Sequence, residues 1–356
     1  MFRARRVSPT TILTFPRFTT ALVTLLLPAL LRADVVINEI MYHPLSGATT
    51  EEYVELHNSG PSPVSLDGWR FTSGVSFTFP NVSIAAGGYL VVAADRTAFA
   101  AKYPAVTNFV AGWTGQLSNS ADTIVLKDKL GVVVDELDYA DDGDWAVRER
   151  DDLNDQHRGW RWRSQADGYG KSLELINAGF DNRHGQNWGA STMAGGTPGA
   201  ANSLAAPDIA PVVGDVRHFP LAPASTEAVT VTATVLDDRA AVVTVTVSYR
   251  NDGAATWITA PMFDDGAHGD GSAGDKTFGA RLPAQADETV VEYYVSATDG
   301  SHARTWPAPA LNNATPGDPF VAEQSQNCLY QVENTTYAGA MPLYRLVMKA
   351  SYRTTL

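Results

Sequence analysis

Two short stretches concentrate the side chains able to do chemistry. Between Phe263 and Asp275 the chain reads Phe-Asp-Asp-Gly-Ala-His-Gly-Asp-Gly-Ser-Ala-Gly-Asp. Asp264, Asp265, Asp270 and Asp275, with glycines freeing the backbone between them, could wrap a hard cation such as calcium in oxygen ligands, although the spacing is not that of an EF-hand. Equally, aspartates in a glycine-rich hairpin cap turns by accepting backbone N–H groups. The second stretch is Arg158-Gly159-Trp160-Arg161-Trp162-Arg163, a basic aromatic patch on an acidic chain. Trp160 and Trp162, with Arg161 between them, could stack on sugar rings or hold an anionic glycan. In the alternative, the arginines pair with nearby aspartates while the tryptophans cover the fold.

Other groupings carry less. Glu55 and His57 share a side of their strand and Glu39 and His43 lie upstream, a carboxylate and imidazole set that could bind zinc. Asp141, Asp142, Asp144, Asp151, Asp152 and Asp155 form a second acidic cluster, which a solvated loop explains without any ligand. Gly-x-Ser-x-Gly, His-Glu-x-x-His and P-loop motifs are all missing, so nothing selects an active site. Cys328 is the only cysteine, which rules out an internal disulfide and reads best as a partly buried apolar residue.

The elements that must position these groups are strands. Val35-Val36-Ile37 is apolar, Tyr53 to His57 alternates, Tyr89 to Ala94 is a continuous apolar run, and Ile124–Leu126 and Val132–Val134 are spaced for a hairpin. A helical turn is expected near Arg96 to Lys102. Asp141 to Gly170 breaks the pattern and reads as a long loop. Residues 204–211 form a proline-containing linker. Beyond it, Val229–Val235, Val243–Tyr249 and Glu292–Gly300 carry the alternation of a second sandwich, over 212–309. Leu343 to Met348 reads as one more strand, in a segment 310–356 that begins a further region.

Composition narrows the setting. The 356 residues suffice for two or three cores, and only 18% are charged. The first 33 residues hold five arginines, no acid and the apolar run Ala21 to Leu31. As a helix that run reaches about 16 Å, short of a ~30 Å hydrocarbon core, so a secretory signal peptide is expected rather than a transmembrane span. Without its five arginines, 21 of the 26 basic residues face 39 acidic ones, near −18. Such a field repels phosphate backbones and excludes nucleic acid as a partner.

The motif order carries a resemblance. Ile37-Asn38-Glu39-Ile40-Met41-Tyr42-His43-Pro44, Glu51-Glu52-Tyr53-Val54-Glu55-Leu56-His57-Asn58, Ser65-Leu66-Asp67-Gly68-Trp69-Arg70-Phe71 and Gly195-Gly196-Thr197-Pro198-Gly199-Ala200-Ala201-Asn202-Ser203 together resemble the lamin-tail domain of secreted bacterial proteins. The resemblance implies an immunoglobulin-like sandwich over 34–203 that binds or links without chemistry of its own. Residues 212–309 resemble immunoglobulin or fibronectin III-like modules of bacterial surface proteins. The tail from Leu329 resembles the beginning of a CotH-type kinase region, from which no catalytic residue carries over. The expected protein is all-β: two immunoglobulin-like sandwiches in tandem with a short unfinished C-terminal β segment. It is a non-catalytic, secreted or cell-surface scaffold with protein or glycan partners. The alternatives are an accessory portion of a CotH-like kinase and a carbohydrate-binding module.

Overall fold

The computed structural model describes residues 35–154, 157–239, 242–335, 337–339 and 344–353. The expected leader over 1–33 lies outside the described residues, as do Asp155 and Leu343.

The first sandwich opens with the strand Val35–Met41, buried along its whole length. Such a strand needs cover on both faces, and it has it. Ile37 and Ile40 join Leu56, Leu90 and Val92 against Phe71, Ile124, Leu126 and Leu137 of the facing sheet. On the other side Met41, Tyr53, Val91 and Ala93 pack on Phe99, from the expected helix, Arg96–Lys102. Asp95 starts that helix by accepting Thr97 N and Ala98 N, both at 2.8 Å.

The first sheet runs Trp188–Ala190, Leu173–Leu175, Val35–Met41, Tyr53–Asn58, Tyr89–Ala93, Phe109–Ala111. The second runs Val133–Ala140, Ala121–Lys127, Arg70–Ser73, Val75–Thr78, Thr114–Gly115. A register shift between Ile37 and Glu39 marks a bulge where the first motif sits.

The second sandwich faces Val212–Phe219, Val229–Leu236 and Thr277–Leu282 with a sheet of Ile258–Met262, Thr244–Asn251, Val290–Thr298 and Ala303–Trp306. Val229–Leu236 alternates buried and half-buried along its length, as the Val-Thr sequence requires. Val231, Val247, Val291 and Val295 lie in the core between the sheets.

Three segments depart from expectation. The presumed loop from Asp141 to Gly170 contains a hairpin, Val147–Asn154 with His157–Arg163. Its central cross-strand pairs set arginine against tryptophan and glutamate against arginine, so no apolar alternation announces it. Sheet pairing also continues past Pro309: Ala310–Asn312 adds in parallel to Val147–Asn154 and pairs in turn with Val321–Glu323. Cys328–Gln331 pairs with Val290–Thr298 of the second sandwich. Third, the strand expected at 343–348 does not form over its described residues, 344–348. Tyr344 to Lys349 are irregular and lead into a short helix, Ala350–Arg353. Tyr344 and Leu346 are exposed, and no strand among the described residues pairs with this segment. Among the described residues no helix is long and apolar enough to cross a membrane.

Candidate functional site

The hairpin's register decides which way its side chains face. Arg148 lies opposite Trp162 and Arg150 opposite Trp160 on one face, with Glu149 opposite Arg161 on the other. The guanidinium of Arg148 sits 4.6 Å from the Trp162 ring centroid and that of Arg150 5.0 Å from Trp160, distances at which the ring's negative face attracts a cation. On the opposite face, buried Glu149 takes Arg161 at 2.9 Å and Arg163 at 3.1 Å through one oxygen. Arg161 also reaches Asp151 at 3.1 Å, and Arg158 donates to Asn313 O. Arg161 is therefore held by acids, as the structural alternative required.

Trp162 is different. At 40% exposure it lines a cleft of about 310 Å³ shared with the second sandwich. Asp144, Arg148 and Gln186 line one side with it, and Arg304 and Trp306 come from the other. Gln186 makes that junction firm: it donates to Asp144 Oδ2 and Val213 O, both at 2.8 Å, and accepts Val213 N at 3.0 Å. Arg304 donates to Gln186 O and Pro211 O, each at 3.0 Å. Two indoles, two guanidinium groups and a carboxylate around one opening suit a ligand that is flat on one face and hydroxylated at its edges. Trp306, Arg304 and Gln186 escaped sequence reasoning because they are far from the hairpin in the chain. Trp160 is half-buried and does not line this cleft.

The four aspartates between Ile258–Met262 and Thr277–Leu282 turn their carboxylates to the backbone. Asp270 is 2% exposed and accepts from Asp265 N, Gly266 N and His268 N at 2.7–2.8 Å. Burial opposes its ionisation, yet these N–H groups hold its carboxyl below the usual range. Asp264 accepts from Gly274, Asp275 and Lys276, Asp275 from Ser272 and Thr277, and Asp265 from Ala267. The geometry is that of turn capping. In the other acidic cluster, Asp144 is tied to Gln186 and Asp151 to Arg161.

The four residues weighed for zinc are not brought together. His43 Nδ1 lies 2.5 Å from Asp167, while His57 stacks on Tyr89 at 4.5 Å and donates to Gly88 O. Glu39 and Glu55 instead stand side by side across adjacent strands, and Glu174 extends the row on the other side. All three are fully buried. The last motif, Gly195 to Ser203, lies over them. Thr197 N donates to Glu39 at 2.8 Å, Gly199 N to Glu55 at 2.5 Å, and Thr197 Oγ1 and Ser203 Oγ to Glu174 at 2.8 and 2.7 Å. Tyr53 and Ser172 add hydroxyls to Glu39. A side chain on Gly196 would collide with Glu39, Tyr53 and Ser172, and its φ of +81° also favours glycine. Burial pushes Glu39 up to about 7 and Glu55 well above the carboxylate range, with the neighbouring carboxylates adding to both. Glu174 carried no sequence signal except its place in an apolar Leu-Glu-Leu strand.

The row therefore locks the sandwich, whereas the groups around the cleft at Trp162 border open space. No curated protein matches the chain. Residues 30–141 match the family model described as Lamin Tail Domain, an immunoglobulin-like sandwich compatible with a scaffold role.

Proposed function

We propose that the protein is an exported, non-catalytic scaffold or adhesion module that holds a cell-surface glycan in the cleft beside Trp162. The observation that carries this reading is the pairing of Trp162 with Trp306 across one opening, flanked by Arg148 and Arg304. Indole faces bury the apolar face of a sugar ring, while guanidinium and carboxylate groups bond its hydroxyls or an acidic substituent. The match over 30–141 supports the scaffold part, and the arginine-rich, then apolar, first 33 residues support export. The test is binding to a panel of neutral and acidic oligosaccharides. Trp162→Ala and Trp306→Ala should each weaken any hit at least tenfold, while Trp257→Ala, remote from the cleft lining, should not. Absence of any hit, or equal binding by all three variants, would falsify the glycan reading.

A further inference from the structure

Several arginines of this chain end on carboxylates. Arg161 and Arg163 share Glu149, Arg183 meets Asp181, Arg217 meets Asp215 and Arg250 meets Glu292. With 39 acidic residues against 26 basic ones, that is the expected state. Arg148 and Arg304, the two that line the Trp162 cleft, are exceptions. Both are half-buried, yet neither forms an ion pair among the described residues.

What they bond instead is neutral. Arg304 donates Nε to Pro211 O and Nη2 to Gln186 O, each at 3.0 Å. Arg148 donates Nη1 to Gln326 O at 3.3 Å, and its guanidinium rests on the Trp162 ring at 4.6 Å. Nη1 of Arg304 and both Nε and Nη2 of Arg148 have no hydrogen-bond partner among the described residues. Asp144, also at the cleft, acts on Arg304 only from beyond ion-pair distance, and one of its oxygens is held by Gln186. Burial pulls both guanidinium groups below the ordinary arginine range, but a guanidinium still stays charged. A charge drawn out of water without a counter-ion is costly, and an anion entering the cleft removes that cost.

We infer that the cleft selects a sugar ring carrying a carboxylate, the repeating unit of an acidic polysaccharide, over its neutral counterpart. The inference rests on the glycan reading and narrows it. A carboxylate is planar and takes two parallel N–H bonds from one guanidinium. Arg148 comes from the hairpin and Arg304 from the second sandwich, so the acid group is met from two sides while the indoles of Trp162 and Trp306 cover the ring. A volume of about 310 Å³ is at the lower end of ligand pockets, roughly 300–1,000 Å³, which suits one or two rings rather than a long stretch of polymer. The acidic surface elsewhere repels a polyanion, which confines docking to this opening.

The test is titration calorimetry of the whole chain with short oligomers of galacturonate, glucuronate and mannuronate, each beside its methyl ester and a neutral oligomer of equal length. The free acid should bind about tenfold tighter than the ester at low salt, and about 0.5 M sodium chloride should narrow the gap. Arg148→Gln and Arg304→Gln should each remove most of that preference. Arg281→Gln, exposed on Thr277–Leu282 and outside the cleft lining, should keep it. Arg304 also braces the junction, so if its variant unfolds by circular dichroism, Arg148→Gln decides. Equal affinity for acid and ester overturns the charge selection and leaves the glycan reading standing. So does a preference for the acid that survives Arg148→Gln, or binding of sulfated oligosaccharides in place of uronates. Acetate bound as tightly as the uronates, with no loss in Trp162→Ala, reduces the cleft to a plain anion site and overturns the inference. No binding of any sugar, acidic or neutral, removes both readings.

Discussion

Glu39 in the first sandwich and Glu292 in the second are both buried glutamates on interior strands, yet they are accommodated in opposite ways. Glu39 has hydroxyls, an amide N–H and two neighbouring carboxylates around it, and burial pushes it up to about 7. Glu292 is opposed by burial too, but Lys349, Asn327 and Arg250 hold its carboxyl below the usual range. Arg250 meets it at 3.0 Å, and the Lys349 ammonium lies against it from the C-terminal tail. One sandwich surrounds its buried acid with neutral donors and other carboxylates, which raises its proton affinity, while the other meets it with cations. A buried carboxylate is therefore no sign of a metal or a catalytic centre until its partners are counted.

The comparison breaks first at the Gly195 to Ser203 segment, a strap laid over the row of glutamates. Gly196→Ala should cost at least about 3 kcal/mol, since a methyl at that left-handed position drives into Glu39 and Tyr53. Denaturant unfolding measures it, and an effect below 1 kcal/mol would mean that the strap is not seated on the row. Next come isosteric replacements at the two acids. Glu292→Gln should destabilise by about 3 kcal/mol, because Lys349 and Arg250 are left without their anion. Glu39→Gln should cost less than about 1 kcal/mol at pH 7, since a neutral amide resembles the protonated acid. Equal losses from the two would erase the distinction.

The smallest expected effect is in pH dependence, where the signs differ. Glu39 binds its proton more tightly folded than unfolded, so its contribution is full below about 4.5 and is lost as pH rises through about 7. Glu292, held low, contributes fully at neutral pH and loses that contribution as pH falls below the ordinary carboxylate range. Hydrogen exchange, corrected for intrinsic rate, should show Val35–Met41 gaining protection relative to Val290–Thr298 between pH 7 and 5. Parallel profiles would sink the assignment.

Much of this fold was legible because apolar alternation marks it. Val229–Leu236 could scarcely be anything but a strand, and the helical turn expected near Arg96 to Lys102 is there, although the capping role of Asp95 emerged only from the structure. The hairpin around Trp162 was hidden because its pairing uses arginine against indole, which carries no hydropathy period. Of the residues weighed for a glycan, Trp162 lines the cleft, whereas Arg161 is held by Glu149 and Asp151. Trp306 and Arg304 were out of reach, since only the tertiary arrangement brings them opposite the hairpin.

The parallel pairing of Glu149 with Leu311 also sets an order of assembly. A chain growing from its N-terminus can close both sheets of the first sandwich long before Leu311 has been made. Until then the Val147–Asn154 strand keeps an unpaired edge, which another copy in the same condition could fill. Crowding during synthesis should therefore favour exchanged dimers joined at this strand, and delay in completing the chain should increase their share.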